Sequence, residues 1–370
     1  MNKSVKVLLV SPYSAKIAGG IVTWSKSMLD YSKSCDDCDV RFMNTMQGLP
    51  KRWSLNHRVA YLIIGFLDSI LIVVRLFWRM LVTKPDVVHY TSSASSALYK
   101  DFVVVWMVKK MFKKRFVIHW HFGRIPCLFE EKGKEFNLFI RVCRNVDVSI
   151  VIDAKSYHTL KNENIGSVYI PNPIPVILQR EAEKISPKSQ LENRNIGDVL
   201  FVGHVRKGKG VIELVKACLE CEEVNRLTIV GPFLEENMES ELKAIAGKRE
   251  DGKWLHIVGE KTCEEVWNYY RQCSLFCLPS YSEGFPYVIL EAMTFACPIV
   301  ATKVGAIPEM LSDCCGDLVD ARKVEPLKAA ISKVLGNPGY ASEIGEKAHA
   351  KVLGCYSIEK VFSQYLDVWR

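Results

Sequence analysis

Short apolar runs of three to six residues recur along the chain, each closed by a glycine, a proline or a polar turn. Val5 to Val10, Phe116 to Trp120, Val148 to Ile152, Val199 to Val202, Leu227 to Val230, Leu275 to Leu278 and Ile299 to Ala301 are examples. Runs without alternation suit strands buried on both faces, as in a parallel sheet. Pro85-Asp86 followed by Val87 to Tyr90, and His256 to Gly259, read as two more. Helical patterns lie between them. They begin after Gly19-Gly20, at Val211 after a glycine-rich turn, at Glu264 and at Tyr287, and another fills Cys355 to Arg370. Alternation of strand and helix in both halves predicts an α/β protein of two doubly wound domains.

Val168 to Pro175 carries three prolines in eight residues and reads as a stiff join between the domains. Residues 180–197 are charged and polar, a loose lead into the second domain. The expected division is residues 1–172, then 173–354, with the tail helix 355–370 returning to the first domain.

Val59 to Val82 is the most apolar stretch. Asp68, Arg75 and Arg79 interrupt it, so it is not a clean membrane span. At about 100° per residue those three share a narrow stripe. The favoured reading is a core helix with that polar seam toward solvent or a cleft. The other is a helix laid partly into a membrane interface. Lys109, Lys110, Lys113, Lys114 and Arg115 form a basic cluster that suits a helix C-terminus or anionic lipid.

Composition alters this picture in two respects. The 370 residues are 49% hydrophobic, enough for large cores and against disorder. The net charge of +8 is uneven: residues 1–175 carry +12 and the remainder −4. A basic first half suits an anionic membrane surface or phosphorylated acceptor, or is simply a solvated face. Nothing points to nucleic acid. The 13 cysteines are scattered; Cys35/Cys38 and Cys218/Cys221 are C-x-x-C pairs without a histidine pair at ligand spacing, which favours reduced thiols over zinc. The N-terminal apolar run is too short for a secretory signal, so a cytoplasmic protein is expected.

Candidate chemistry collects at strand-to-loop edges. After Leu278-Pro279 the chain reads S-Y-S-E-G-F-P-Y-V-I-L-E-A-M, where Pro286 suits a helix start and Glu283 and Glu291 stand seven residues apart. Free N–H groups at such a start favour a phosphate. The carboxylates are better suited to accept hydrogen bonds from sugar or ribose hydroxyls. After Val199 to Gly203, the cations Arg206, Lys207 and Lys209 flank a glycine-rich turn and a helix start, a combination that neutralises a diphosphate. Gly19 and Gly20 sit between a strand and a helix, where backbone can touch a ligand or only turn tightly. His119 and His121 end another strand.

The pattern E-G-F-P-(x)4-E-A-M, with V-G-A-I-P-E downstream, resembles the nucleotide-sugar glycosyltransferases of family 4, the group 1 transferases. The likeness is specific in the second half and weaker in the first. It implies the GT-B architecture, two Rossmann-like domains facing a central cleft, with transfer of a sugar from a nucleoside diphosphate sugar to an acceptor hydroxyl and retention at the anomeric carbon. Glu283 matches the first family glutamate, at the donor sugar, and Glu291 the second, at the ribose. His121, in preference to His119, matches the histidine beside the donor sugar. Gly19 and Gly20 match the glycine loop near acceptor and donor phosphate. Lys209 matches the lysine of G-R-(x)4-K-G, but His204 replaces the arginine, a charge that Arg206 is placed to supply. Gly284, Phe285, Tyr287 and Val288 complete the donor-binding set. Pro173 replaces the usual glycine of the I-P-N-G hinge. The binding loops carry no D-x-D motif, so no metal or other cofactor is expected. A lipid-linked precursor of a surface polysaccharide is the favoured acceptor, with peripheral contact at an anionic membrane. A nucleotide-sugar epimerase of the same fold and a non-catalytic sugar-nucleotide-binding subunit are the alternatives.

Overall fold

A computed structural model describes residues 4–14, 19–46, 58–187, 194–249 and 252–370. The described chain forms two compact units. The first is residues 1–175 with 358–370; the second is 176–357.

Each unit is built on a six-stranded parallel sheet. In the first, β1 (Val5–Ser11), β2 (Cys38–Asn44), β3 (Val87–Ser92), β4 (Arg115–Trp120), β5 (Val148–Val151) and β6 (Ser167–Tyr169) lie in the order β2-β1-β3-β4-β5-β6. The helices are α1 (Gly20–Ser32), α2 (Arg58–Thr83), α3 (Leu98–Trp106), α4 (Ile125–Glu131), α5 (Lys134–Cys143) and α6 (Ala154–Asn162). The second unit opens with α7 (Val176–Lys184). Its strands are β7 (Asn195–Val202), β8 (Arg226–Val230), β9 (Leu255–Gly259), β10 (Cys273–Leu278), β11 (Ile299–Thr302) and β12 (Asp317–Val319), in the order β12-β11-β10-β7-β8-β9. Between and after them come α8 (Val211–Leu219), α9 (Met238–Ala246), α10 (Cys263–Gln272), α11 (Tyr287–Thr294), α12 (Ile307–Met310), α13 (Val324–Leu335) and α14 (Pro338–Tyr356). The last helix, α15 (Ile358–Trp369), belongs to the first unit.

The apolar runs are strands because both faces are covered. Leu8, Leu9, Val88, Val117 and Ile118 are fully buried in the first sheet, as are Val199, Phe201, Leu275 and Phe276 in the second. Strands β2, β6 and β12 lack such runs. β2 alternates apolar and polar residues at a sheet edge, and only Cys38 and Met43 in it are buried.

Two expectations about the connection are corrected. Val168, read as the start of a proline-rich join, pairs in β6 at the edge of the first sheet. Pro171, Asn172, Pro173 and Ile174 after it are buried. Residues 180–184, read as loose, end the helix α7, which buries Leu178 and Ala182 and holds Arg271 of α10 through Glu181 at 2.8 Å. Two or three buried apolar residues among charges give too weak a period to recognise.

Helix α2 is helical as expected, but its orientation reverses the favoured reading. Ile72, Leu76 and Met80 face the core, and Arg75 turns inward to donate to the Asn44 carbonyl at 3.1 Å. The apolar remainder faces outward. Among the described residues no helix is long and apolar enough to cross a membrane.

Helix α15 is tied to the first sheet by polar atoms of its aromatic residues. Trp24 of α1 donates to the Tyr365 hydroxyl at 3.0 Å, and Trp369 donates to Nδ1 of His89 at 2.9 Å. Arg115 donates to the Val368 carbonyl at 3.1 Å. The rings surround a cluster of histidines: His89 stacks on Trp24 at 5.3 Å, and His119 lies 4.8 Å from Trp24 and 4.0 Å from His121. Burial holds all three imidazoles neutral, reinforced for His89 and His119 by neighbouring rings. His89 and His121 are pushed down to about 3, and His119 lies well below its usual value.

The histidine cluster makes stability depend on pH with a definite sign. Between about pH 6.5 and about 3 the unfolded chain takes up protons that the folded cluster refuses, so stability falls as pH falls. Each histidine contributes up to about 1.4 kcal/mol per pH unit. Calorimetric unfolding from pH 7.5 to 5 should show this decline, and His119→Phe should flatten it by roughly a third of the cluster's share. An unchanged slope in the variant would exclude the cluster as its source.

Candidate functional site

The strand order of the second sheet sets the place. From β7 the chain moves outward through β8 and β9, then returns to β10 on the opposite side of β7. The loops after β7 and β10 therefore leave neighbouring strand ends in opposite directions, and the gap between them is where doubly wound sheets take ligands. The first of these loops holds His204 to Gly210, the second Pro279 to Pro286.

The two loops are locked to each other by close backbone approach. Gly210 has φ +69°, and a Cβ there would overlap the Pro279 carbonyl. The Tyr281 N–H donates to the Gly208 carbonyl at 2.9 Å. The loop after β11 closes the other side. Gly305, at φ +54°, leaves no room for a Cβ against the backbone of Glu283 and Gly284. Ala306 N–H donates to the Gly284 carbonyl at 2.9 Å, and the Thr302 hydroxyl to the Ser280 carbonyl at 2.6 Å. Only glycine meets both demands at 210 and 305.

This frame brings Lys209 and Glu283 together, 74 residues apart in the chain. The ammonium donates to the carboxylate at 2.6 Å, and the two side chains are only 17% and 10% exposed. Arg206 and His204 lie exposed on the same loop. Val205 between them is buried: its N–H donates to the Pro232 carbonyl at 2.8 Å, and its carbonyl accepts from Leu234 N–H at 3.1 Å. The exposed Arg206 guanidinium lies beside Gly208. Pro286 caps α11 with extended backbone, one position earlier than the first-turn place read from the sequence. Gly284 precedes the cap. Phe285 is buried edge-on against Tyr356 at 5.8 Å, so it anchors the loop. Tyr287 and Val288 begin the helix, both half-buried.

Glu291 is held differently. It is half-buried, and Tyr270 of α10 donates its hydroxyl to Oε2 at 3.0 Å and to the Val288 carbonyl at 3.3 Å. Desolvation dominates and pushes the carboxyl up to about 7, against the lowering by the tyrosine hydrogen bond. The two glutamates are thus chemically unlike: Glu283 is neutralised by a cation, and Glu291 sits in a dry setting with a neutral donor.

Sequence reading missed Tyr270 and what fixes it. Its ring stacks on Phe295 at 5.9 Å. Its carbonyl accepts from Arg194 at 2.9 Å, and the same guanidinium reaches the Phe295 carbonyl at 2.6 Å. Tyr270 lies in a helix that was recognised, but nothing in the chain pairs it with Glu291. Tyr281 was likewise missed. It donates to Glu213 at 2.7 Å, with Arg322 over its ring at 4.7 Å.

In the first unit, Gly19 caps α1 with extended backbone, and Gly19 and Gly20 are both exposed at the helix N-terminus. Residues 15–18 of that loop lie outside the described residues. His121 follows β4, half-buried, with its ring against His119 and 5.2 Å from Trp24. His119 is fully buried beneath it. Of the two, His121 is the one at the loop edge.

The letters D-x-D do occur once, at Asp37-Cys38-Asp39, away from the binding loops. They open β2 at its amino end, where Asp37 pairs with Arg370 at 2.9 Å and Asp39 with Arg41 at 3.1 Å. Among the described residues no group of three or more acidic, histidine or cysteine side chains is placed to hold a metal, and no two cysteines are joined in a disulfide.

The family described as Glycosyl transferases group 1 matches residues 182–351. An uncharacterized glycosyltransferase of Haemophilus influenzae is 27% identical over 213 residues, 56% of this chain and 56% of its own length. The putative teichuronic acid biosynthesis glycosyltransferase TuaC of Bacillus subtilis is 25% identical over 46% of this chain and 42% of its own length. The chain therefore spans about half the length of these relatives. Among solved structures, sucrose-phosphate synthase from Thermosynechococcus elongatus superposes with a TM-score of 0.74 at 18% identity, covering 99% of this chain and 98% of that one. HepE of Anabaena in complex with UDP gives 0.71 at 16% identity, covering 98% and 99%. The fold is GT-B. The matched residues 182–351 include Lys209, Tyr270, Glu283 and Glu291, so this part of the chain is similar to the glycosyl transferases group 1 family.

Proposed function

We propose that this protein is a retaining glycosyltransferase of family 4. It moves a sugar from a nucleoside diphosphate sugar to an acceptor hydroxyl. The observation that carries this reading is the Lys209–Glu283 pair at the switch point of the second sheet. A cation for phosphate and a carboxylate for sugar hydroxyls stand within 2.6 Å, so the two subsites they serve are adjacent. A nucleoside diphosphate sugar has its diphosphate and its sugar adjacent in the same way. HepE, which shares the fold, has been solved with UDP-glucose.

The roles follow from the charges. Departure of the diphosphate requires negative charge to be neutralised, and Lys209, Arg206 and the first-turn amides of α11, beside Gly284 and Phe285, supply that. Tyr287 and Val288 line the same helix start. Glu283 accepts from donor-sugar hydroxyls and favours positive charge at the ring. Glu291, oriented by Tyr270, accepts from the ribose hydroxyls. His121, neutral at physiological pH, hydrogen-bonds sugar hydroxyls without adding charge. Gly19 and Gly20 offer backbone N–H groups to phosphate or acceptor. In the chemical step the bond from the anomeric carbon to the phosphate oxygen breaks, with both electrons leaving on the diphosphate. The acceptor oxygen bonds to that carbon on the same face, and its proton passes to the departing phosphate oxygen. No metal or other cofactor enters this scheme.

The acceptor is a lipid-linked precursor in surface polysaccharide or glycolipid synthesis. The relative named for teichuronic acid biosynthesis supports this, as does the charge of +12 on residues 1–175. The same charge favours a cytoplasmic protein resting peripherally on an anionic membrane.

The following measurements test the reading. A panel of nucleoside diphosphates and their sugars should raise the melting temperature, with about 2.7 kcal/mol of stabilisation at a hundredfold excess over Kd. A panel with no stabiliser would remove the donor class, and turnover of donor without acceptor would mark an isomerase. Glu283→Gln should lower kcat about a hundredfold, or about 2.7 kcal/mol. It should leave nucleoside diphosphate affinity equal or tighter, because Lys209 loses its partner. Lys209→Met should weaken that affinity instead. Because ribose binding needs the Glu291 carboxylate, donor affinity should fall as pH drops through about 7. Tyr270→Phe removes a hydrogen bond that favours the carboxylate, so it should move that limb to higher pH. A pH limb that stays in place in Tyr270→Phe would dissociate Glu291 from donor binding.

A further inference from the structure

The first unit carries a surface that sugar transfer leaves unused. Ten large apolar side chains of α2 face outward between Ile63 and Val82, with Phe66 at 66% and Trp78 at 65% exposure. They occupy an arc of roughly 160° that contains no charged residue. The charged positions lie at its margin: Asp68 and Arg75 are half-buried and Arg79 is exposed. Helix α3 and the turn after it extend the surface with Tyr99, Phe102, Val103, Trp106 and Met111, all exposed. Solvent-facing helices ordinarily show the reverse pattern, and a contiguous patch of this kind marks an interaction site.

Between α2 and α3 the surface deepens into a groove of about 690 Å³. That lies within the range of about 300–1,000 Å³ typical of ligand pockets. Gly65 and Ser69, one turn apart on α2, leave the space open, and a Cβ at Gly65 would meet nothing within 4 Å. Val74 and Val103 give the groove apolar walls, and Tyr99 and Lys100 stand at its edge. The turn after α3, whose Phe112 packs on Phe77 of α2 at 5.4 Å, brings further cations beside the apolar arc. Lys110 and Lys113 are exposed and Lys114 half-buried, whereas Lys109 is already paired with Asp147 at 2.7 Å. The acid of α3, Asp101, is buried and accepts from Tyr90 and Ser92, so it does not offset them. Outward tryptophans, an apolar arc and adjoining lysines are complementary to the interface of an anionic bilayer. A second copy of this chain would set the same lysines against each other.

We propose that the groove between α2 and α3 takes one hydrocarbon chain of a membrane lipid, while the arc and the lysines around it rest on anionic headgroups. This rests on the peripheral-membrane part of the proposed function and adds a discrete site to it. The site gives the protein a hold on a single lipid molecule, which non-specific surface adsorption does not.

The full chain, without detergent, is titrated with cis-parinaric acid, a fluorescent single-chain lipid, and separately floated with vesicles of phosphatidylcholine alone or mixed with phosphatidylglycerol. Parinarate should bind saturably at one per chain. Val103→Trp and Gly65→Leu, which fill the groove from opposite walls at exposed positions, should each weaken it at least tenfold with unchanged melting temperature and unchanged flotation. Lys110→Glu with Lys113→Glu should abolish flotation with anionic vesicles and leave parinarate binding intact. Parinarate that fails to bind, or that binds equally in both groove variants, overturns the site. If flotation fails in every protein while parinarate binds as described, the membrane reading falls and the groove stands. A dimer that Val103→Trp separates, with no parinarate uptake, assigns the face to a second copy and overturns the proposal.

Discussion

The site depends on backbone packed against backbone at the carboxyl edge of the second sheet. Because β10 returns beside β7, the loops that follow them emerge side by side, and Gly210 and Gly305 let three loops close to contact distance. The Lys209–Glu283 pair is a consequence of that closure. Two long side chains on flexible loops would spend much of their conformational freedom to meet; here the loops are already fixed by carbonyls at Gly208, Ser280 and Gly284. Catalysis by electrostatic stabilisation requires such fixed groups, since charges that must first reorganise lose their advantage.

The two glutamates show how one residue type is put to two uses by its surroundings. Glu283 faces an ammonium and keeps the character of an ion-paired acceptor. Glu291, seven residues on, is desolvated and touched by a phenol, which puts its protonation near neutrality. Tyr270 mediates this, and it is itself held by Arg194 and by the stack on Phe295. Support of this kind reaches the site through a carbonyl and a ring face and leaves no local signature in the chain.

The first unit solves a different problem. Its core takes Ile72, Leu76 and Met80 from the described part of α2, with Val73 packed partly against it, and most of the helix's remaining apolar surface stays outside. The core is closed instead by α15, whose tyrosine accepts from Trp24 and whose tryptophan donates to His89, so that His89 and His119 are buried beneath the half-buried His121. Apolar content alone therefore misjudged which helix is buried: the greasiest helix is the exposed one, and the last helix of the chain is a core element.

The sequence by itself determined the class of fold, since unbroken apolar runs separated by amphipathic segments admit little but buried parallel strands covered by helices. It also determined the chemistry on offer at the loops, because Glu283, Glu291, Lys209 and Arg206 stand where strands end and helices begin. It did not reveal β2, β6, β12 or α7, whose short or weakly periodic patterns depend on neighbours for their stability. Nor did it reveal which charges meet. That Lys209 pairs with Glu283 and Tyr270 with Glu291, that Arg75 turns inward, and that α2 shows its apolar arc to the outside were decided by tertiary structure. The order of strands in a sheet and the packing of helices on it are long-range choices, and they set which residues become neighbours without changing any local preference.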